Sequence, residues 1–361
     1  MKCAKSRYWL FVGCLLSLVV SGATAMNENG EDYFPIRQNG KIGFIDNSGK
    51  IVISPQFDST VTANGTTFSE GLAAVQVGDK WGYIDKTGKF VIQPKFKQRF
   101  PPSLFHEGLA QVAIRENAYG FIDKSGEFVQ ALSFIEEWTE FSEGLARVSK
   151  DKKVGFVDKT GKFVIDARFI QAKDFKEGLA MVEAEVNSED GRKSKFGYID
   201  KAGKMVIEPK FGQAQSFSEG LAAIEIGYKY GYIDKSGKVV IPPRFDGAFP
   251  FSEGLAKVAI GSKAGFINAT GKMVISPQFD YTGTGDNASY RGFKEGLSVE
   301  ELNHKVGFID KTGKMIIARQ YDYASPFHGG LAEVVIGSLG TTQKRFYIDK
   351  TGKTIWDQKS D

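Results

Sequence analysis

Apolar residues fall into short runs that alternate with polar, glycine-containing turns along most of the chain. Residues 72–96 are representative, with three apolar runs separated by turns that contain Gly78 and Gly88. Short apolar runs bounded by glycine turns are typical of β-strands joined as hairpins, whereas helices need longer runs with a 3.6-residue period. The pattern therefore predicts an all-β protein.

This stretch recurs along the chain. A Gly-aromatic-Ile-Asp phrase, or a close variant, begins at Gly43 and returns every 34 to 42 residues, with a last copy at Phe346 that lacks the glycine. A Glu-Gly-Leu-Ala phrase, first seen at Glu70, interleaves with it. Such a period indicates a repeat architecture. We expect about nine antiparallel β-meander units, near 32–68, 69–106, 107–142, 143–176, 177–218, 219–252, 253–294, 295–328 and 329–356.

Each unit is expected to contain three strands and a fourth short segment around a Pro-x-Phe phrase such as Pro209-Lys210-Phe211. In the turns, an aspartate accepts backbone N–H bonds and a glycine takes a positive φ. A second glycine column leaves no room for a side chain. The recurring positions expected to be structural are Gly82, Asp85, Gly88, Gly231, Asp234 and Gly237.

The distribution of apolar side chains over the two faces of each strand favours one architecture. Trp81 and Tyr83 share one face of their strand, and Ile84 lies on the other, because successive side chains alternate. Both faces are apolar, so both must be covered. Sheets packed face to face around an axis achieve this. The prediction is a β-propeller or propeller-like stack, which closes as one ring, splits into two or stays open.

The first 25 residues are expected to be a signal peptide. Lys2, Lys5 and Arg7 precede an apolar run from Tyr8 to Val20, and Ala23-Thr24-Ala25 is a small-x-small cleavage site. Residues 26–31 are then a linker, 32–356 the repeat domain and 357–361 a tail. Less favoured alternatives are an uncleaved interfacial anchor and lipoprotein cleavage at Cys14. The run is too short for a membrane span, so none is expected in the mature chain.

Cleavage changes the charge and cysteine content. It removes Cys3 and Cys14, which are the only cysteines, and lowers the net charge from +4 to +1. A mature chain without thiols tolerates an oxidising compartment. A nearly neutral chain argues against nucleic acid as a partner. The expected location is therefore secreted or periplasmic, with association at the outer membrane or cell surface as an option.

The repeats resemble the WG repeat, named for a Trp-Gly pair such as Trp81-Gly82. The resemblance runs from Asp32 to about Trp356 and rests on many columns that recur together. The naming tryptophan occurs in one copy; the others place different residues there, as at Tyr119 and Tyr230. The resemblance implies a bacterial, often exported, propeller-like module that binds a ligand. It implies no catalytic residues.

Little in the sequence points to catalysis. His106, His304 and His328 replace other residues at repeat positions, so solvent-exposed or packing roles are expected for them. The aspartate column supplies one carboxylate between lysines in each turn, which suits turn stabilisation better than calcium binding. No metal, cofactor or catalytic residue is expected.

Recognition is expected in loops inserted between repeats. Tyr and Arg are favoured at binding hot spots, and the binding candidates are Trp138, Tyr281, Asp286, Tyr290 and Arg291. The favoured function is a non-catalytic, monomeric, exported scaffold for a protein or cell-envelope polymer. The first alternative is an envelope-structural or membrane-surface protein. A propeller enzyme acting on glycans is a weaker one.

Overall fold

The computed structural model describes residues 32–61, 67–98, 101–115, 118–130, 139–186, 191, 193–281, 292–337 and 343–358. Within these ranges the regular structure is β throughout, and no helix has the length and apolarity needed to cross a membrane. Trp138, Asp286, Tyr290, Arg291 and the proposed signal peptide lie outside the described residues.

Within the described ranges the strands form nine antiparallel sheets, numbered in chain order. Sheet 1 contains β1 (Phe34–Gln38), β2 (Lys41–Ile45) and β3 (Ile51–Phe57); sheet 2 contains β4 (Ser59–Thr60), β5 (Ala73–Val77), β6 (Lys80–Ile84) and β7 (Phe90–Phe96); sheet 3 contains β8 (Ala110–Arg115), β9 (Ala118–Ile122) and β10 (Phe128–Gln130). Sheet 4 contains β11 (Ala146–Lys150), β12 (Lys153–Val157) and β13 (Phe163–Phe169); sheet 5 contains β14 (Gln171–Ala172), β15 (Ala180–Glu185), β16 (Ser194–Ile199) and β17 (Met205–Phe211); sheet 6 contains β18 (Leu221–Ile226), β19 (Lys229–Asp234) and β20 (Val239–Phe245). Sheet 7 contains β21 (Gly247–Ser252), β22 (Leu255–Ile260), β23 (Lys263–Asn268) and β24 (Met273–Asp280); sheet 8 contains β25 (Leu297–Leu302), β26 (Lys305–Asp310) and β27 (Met315–Tyr321); sheet 9 contains β28 (Tyr323–Ala324), β29 (Leu331–Ile336), β30 (Lys344–Asp349) and β31 (Thr354–Gln358).

The Pro-x-Phe phrase is not a separate fourth segment, so that expectation was wrong. In sheet 5 it forms the end of β17, beyond a bulge where the register shifts. A bulge accepts proline because it needs no N–H there. The fourth strand, β14, instead precedes the long strands and pairs with β15. It lies before residue 176, so it falls within the preceding unit of the expected division.

The bulge explains the glycine column. In sheet 2, Trp81 pairs with Phe96 and Tyr83 pairs with Ile92, so Gly82 faces the bulge. A Cβ on Gly82 would lie 2.5 Å from the carbonyl oxygen of Ile92. The bulged backbone therefore excludes any side chain at this position.

Both faces of each central strand are buried against neighbouring sheets. Trp81 is 4% exposed, and Tyr83 and Ile84 on opposite faces are 0% exposed. The described residues form nine apolar clusters, each shared by two successive sheets, and the last joins sheet 9 to sheet 1. The sheets therefore close as one ring of nine, which is a β-propeller arrangement.

The seam between sheets 9 and 1 is held by side chains. The Tyr347 hydroxyl donates to the carbonyl oxygen of Pro35 at 2.9 Å, and the Tyr347 and Phe34 aromatic rings lie 5.5 Å apart. Nearby, His328 Nε2 lies 3.4 Å from a carboxylate oxygen of Asp32. Residues at opposite ends of the domain thus complete the ring.

The Glu-Gly turns connect each sheet to the next. Glu70 and Gly71 have φ values of +51° and +85°, as in a type I′ turn. From this turn, Glu70 Oε2 accepts the Gly108 N–H at 3.0 Å and pairs with Lys124 Nζ at 3.0 Å. The same bond to the next glycine is made by Glu107, Glu143, Glu177, Glu219, Glu253 and Glu295. A glutamate thus adopts a conformation that favours glycine because its carboxylate links two sheets.

Candidate functional site

A cleft of about 470 Å³ crosses sheets 5, 6 and 7. Its lining residues include Lys173, Asp174 and Lys176 from sheet 5, Gln215, Ser216 and Tyr230 from around sheet 6, and Phe249, Pro250 and Tyr281 from around sheet 7. Its volume lies in the range of about 300–1,000 Å³ that is usual for ligand sites. This cleft is the candidate site.

Three equivalent chain segments supply most of the lining. Each starts at an alanine, ends at a phenylalanine three residues later, and holds two variable residues between them. The phenylalanines Phe175, Phe217 and Phe251 are at most 2% exposed. The variable pairs are Lys173-Asp174, Gln215-Ser216 and Phe249-Pro250, and all six of these residues line the cleft. The fold therefore anchors the ends of each segment and leaves the middle free to vary.

Buried tyrosines fix two of these segments. The Tyr198 hydroxyl donates to the carbonyl oxygen of Gln215 at 2.7 Å, and the Tyr232 hydroxyl donates to that of Phe249 at 2.8 Å. Burial raises the pKa of both phenols, so both remain protonated donors. Gln215 Nε2 also donates to the Ala248 carbonyl oxygen at 3.0 Å, which ties the two segments together. These hydrogen bonds position the backbone of two lining segments relative to the sheets beneath them.

One side of the cleft is aromatic. The rings of Phe249 and Tyr281 meet edge to face with centroids 6.3 Å apart. Burial, together with the nearby Asp246 carboxylate, raises the pKa of Tyr281, so its phenol is neutral at physiological pH. Pro250 and Tyr230 extend this surface. It offers flat, apolar contact area with hydroxyl groups at its edge.

The other side is positively charged. Arg147 Nε donates to Asp174 Oδ1 at 2.6 Å, which neutralises the carboxylate in the cleft. Lys173 and Lys176 are exposed, and no carboxylate in the described part of the chain pairs with either ammonium group. The cleft therefore presents two available cations beside an aromatic surface.

Of the predicted binding residues, Tyr281 lies in the cleft. Trp138, Asp286, Tyr290 and Arg291 lie outside the described residues. Sequence reasoning missed Lys173, Lys176, Gln215 and Phe249. The sequence feature that could have identified Lys173, Gln215 and Phe249 is the variable pair of residues between a recurring alanine and a recurring phenylalanine.

The predicted structural positions lie in turns and opposite bulges. Asp85 Oδ1 accepts the Thr87 N–H at 2.8 Å and the Lys89 N–H at 3.1 Å. Asp234 makes the corresponding bonds, and Gly88 and Gly237 have φ values of +82° and +83°. The hydrogen bond from the Thr87 hydroxyl lowers the pKa of Asp85. A Cβ on Gly231 would lie 2.7 Å from the backbone nitrogen of Pro243.

The histidines lie away from the cleft lining. His106 Nε2 is 3.2 Å from a Glu140 carboxylate oxygen, and His304 is fully exposed. His328 belongs to the seam. Among the described residues, no group of three or more His, Cys, Asp or Glu side chains is placed to hold a metal ion.

A buried ion pair distinguishes the interface of sheets 7 and 8. Lys257 Nζ lies 2.8 Å from Glu300 Oε2, with side-chain exposures of 6% and 0%. Ser298 Oγ donates to Glu300 Oε1 at 2.8 Å. Burial raises the pKa of Glu300, and Lys257 opposes that rise. The equivalent position in the other sheets holds an aliphatic residue: Ile36, Val75, Val112, Val148, Val182, Ile224, Val258 and Val334.

Comparison with solved structures shows the fold. A eukaryotic initiation factor is 12% identical with a TM-score of 0.62, covering 91% of this chain and 96% of its own. BamB from Moraxella catarrhalis is 10% identical with a TM-score of 0.42, covering 80% and 91%. The WD40 beta propeller domain of Doa1 is 9% identical with a TM-score of 0.32, covering 63% and 86%. Of these three, the initiation factor shares the fold over nearly its whole length.

Sequence comparison identifies the family. No curated protein matches the chain significantly. The WG containing repeat family matches at residues 42–81, 81–116, 119–153, 155–185, 196–230, 230–263, 265–298 and 307–339. These matches cover most of the chain, and the protein therefore belongs to the WG containing repeat family.

Proposed function

We propose that this protein is a non-catalytic, exported binding scaffold that holds a protein or cell-envelope ligand in the cleft across sheets 5, 6 and 7. The observation that carries the proposal is the variable pair in each lining segment. The buried residues around it maintain the fold, while Lys173, Gln215 and Phe249 differ at one repeat position and line a common cleft. A rigid scaffold that displays variable side chains is the usual arrangement of a recognition surface.

Two further features support a binding role rather than catalysis. The carboxylate of the cleft, Asp174, is engaged by Arg147 and so is poorly suited to act as a general base. The hydroxyl groups of Tyr198 and Tyr232 donate to backbone carbonyl oxygens and so position the lining segments. These three polar groups therefore shape the cleft, while Lys173 and Lys176 remain available to a ligand. Export is supported by the basic, apolar and small-residue pattern of residues 1–25.

Co-sedimentation of residues 26–361 with peptidoglycan sacculi, and separately with envelope membranes, tests this function. We expect saturable binding to one of them that Phe249→Ser weakens. Serine suits this position because Ser103 and Ser325 occupy it in other repeats. Tyr228→Ser is the matched control, since Tyr228 is 80% exposed and does not line the cleft.

The outcomes separate the alternatives. Binding to membranes that both variants retain would support a membrane-surface role and reject the cleft as the site. If neither fraction binds, crosslinking to secreted proteins should capture a partner with the wild type but not with Phe249→Ser. Failure of all three assays would reject a binding scaffold. N-terminal sequencing of the secreted protein should begin at Met26.

A further inference from the structure

We infer that the cleft recognises a short acidic polypeptide segment carrying apolar side chains; this inference rests on the proposed function and specifies its ligand. The first reason is charge. Lys173 and Lys176 come from the same lining segment of sheet 5, and Asp174 between them is neutralised by Arg147, while Asp246 near Tyr281 is paired with Lys229. Charge complementarity to Lys173 and Lys176 therefore favours a ligand that carries carboxylates.

The second reason is the aromatic wall. Phe249, Pro250 and Tyr281 present apolar area next to the lysines rather than in a separate pocket. A ligand that fills the cleft must place apolar groups and carboxylates close together. A chain of glutamate or aspartate interspersed with phenylalanine or proline does so, since neighbouring side chains of an extended peptide point to opposite sides.

The third reason is that part of the polar lining is already engaged. Gln215 Nε2 donates to the Ala248 carbonyl oxygen, and Asp174 Oδ1 accepts from Arg147. A hydroxyl-rich ligand such as an acidic glycan therefore meets fewer amide and carboxylate partners here, and hydroxyls buried without partners lose affinity. We expect the peptide to bind more tightly than an acidic glycan.

Fold-compatible variants are available for the lysines. Serine occupies the position of Lys176 in other repeats, where Ser142 and Ser218 donate to a backbone carbonyl oxygen of the next sheet. It also occupies the position of Lys173, as Ser103 and Ser325. The double variant Lys173→Ser with Lys176→Ser therefore removes two charges with residues that the repeat already uses.

The test is fluorescence anisotropy with the purified chain and a labelled hexapeptide of alternating glutamate and phenylalanine. We expect binding that weakens as salt rises and that falls at least about tenfold in the double variant. The control, Lys294→Ser with Lys272→Ser, removes the same charge outside the cleft, and Lys294 shares the repeat position of Lys176. It should bind as the wild type does.

Three results would overturn the inference. Equal binding of a lysine–phenylalanine hexapeptide would show that charge is not recognised. Equal or tighter binding of trigalacturonate, which carries carboxylates on a hydroxyl-rich backbone, would identify a glycan site. If the glutamate peptide fails to bind while Phe249→Ser still abolishes co-sedimentation, the binding scaffold stands and the ligand class is wrong.

Discussion

Removing one partner of the buried pair at the interface of sheets 7 and 8 should strongly destabilise the protein. Lys257→Met leaves the fully buried Glu300 carboxylate without its closest cation. Breaking a buried pair in this way costs about 3–5 kcal/mol, because the remaining charge is not solvated. The Ser298 hydroxyl still donates to Glu300 Oε1 and the charge of Arg319 still acts on the carboxylate, but the 2.8 Å contact with an ammonium group is lost.

Replacing both partners should cost little. Lys257→Met with Glu300→Val restores residues that the repeat already uses, since sheet 5 has Met181 and Val182 at the corresponding positions. Such exchanges of a buried pair are often neutral or stabilising by about 1–4 kcal/mol. The double variant should therefore be at least as stable as the wild type, and the two single changes should be strongly non-additive.

Thermal unfolding at several pH values tests this reasoning. An unfolding entropy of about 2.1 cal/mol/K per residue makes 1 kcal/mol correspond to about 1.5 °C in a chain of this length, so Lys257→Met should lower the midpoint by about 5 °C at pH 7. Burial raises the pKa of Glu300 in the folded state. A raised pKa in the folded state means that Glu300 favours folding below its unfolded pKa, where it is protonated, and that this contribution is lost as pH rises through its folded pKa. The loss of thermal stability caused by Lys257→Met should therefore become smaller as the pH is lowered.

The exposed pair of Lys153 and Glu185, 2.7 Å apart, is the matched control. Lys153→Met should leave the midpoint nearly unchanged, because exposed ion pairs contribute little to stability. A Lys257→Met midpoint within 2 °C of the control, or a double variant as unstable as the single one, would refute the assignment of Glu300 as a desolvated carboxylate that depends on Lys257.

Three further predictions concern the repeat positions. Gly231→Val places a side chain against the backbone at Pro243, so the thermal midpoint should fall by several degrees; an unchanged midpoint would mean that the bulge relaxes freely. The pKa of Asp85 is lowered in the folded state by the Thr87 hydroxyl, and equivalent turn aspartates behave likewise. Their stabilisation is present above the unfolded pKa and lost as pH falls through the folded one, so urea midpoints should drop below about pH 4; a pH-independent midpoint down to about pH 2.5 would contradict these turn bonds. Tyr232→Phe removes one hydroxyl donor from the Phe249 carbonyl and should cost about 1 kcal/mol in stability together with some cleft affinity, measured by thermal unfolding and peptide anisotropy; full affinity would show that this bond does not shape the cleft.

The repeat architecture was readable from the sequence because its signals are local. Gly82 and Asp85 recur with fixed spacing in hairpins, and the alternation of Trp81, Tyr83 and Ile84 predicted two buried faces. The closure of the ring was not readable. A closed ring and an open stack have the same repeat, and the difference lies in contacts such as Tyr347 with Pro35, which are 312 residues apart.

The cleft was only partly readable for a related reason. Tyr281 was selected by its residue type and its place next to an insertion. Lys173 and Phe249 occupy the same repeat position as serines elsewhere, and the sequence alone does not distinguish a binding residue from a tolerated substitution there. Lys173 and Phe249 line one cleft because sheets 5, 6 and 7 are neighbours and because the Tyr198 and Tyr232 hydroxyls position the backbone of the lining segments. Neither condition can be predicted from the residue types found at one repeat position.

The organisation of the ring has a consequence at the level of the gene. Each described sheet is one uninterrupted stretch of chain, and the seam joins sheets 9 and 1 through side chains instead of a shared strand. Duplication or deletion of one in-frame repeat, 34 codons at the shortest spacing, thus inserts or removes a complete sheet together with its own glutamate contact to the next. A gain or loss of this kind changes the number of sheets in the ring, while the seam residues at both termini stay untouched.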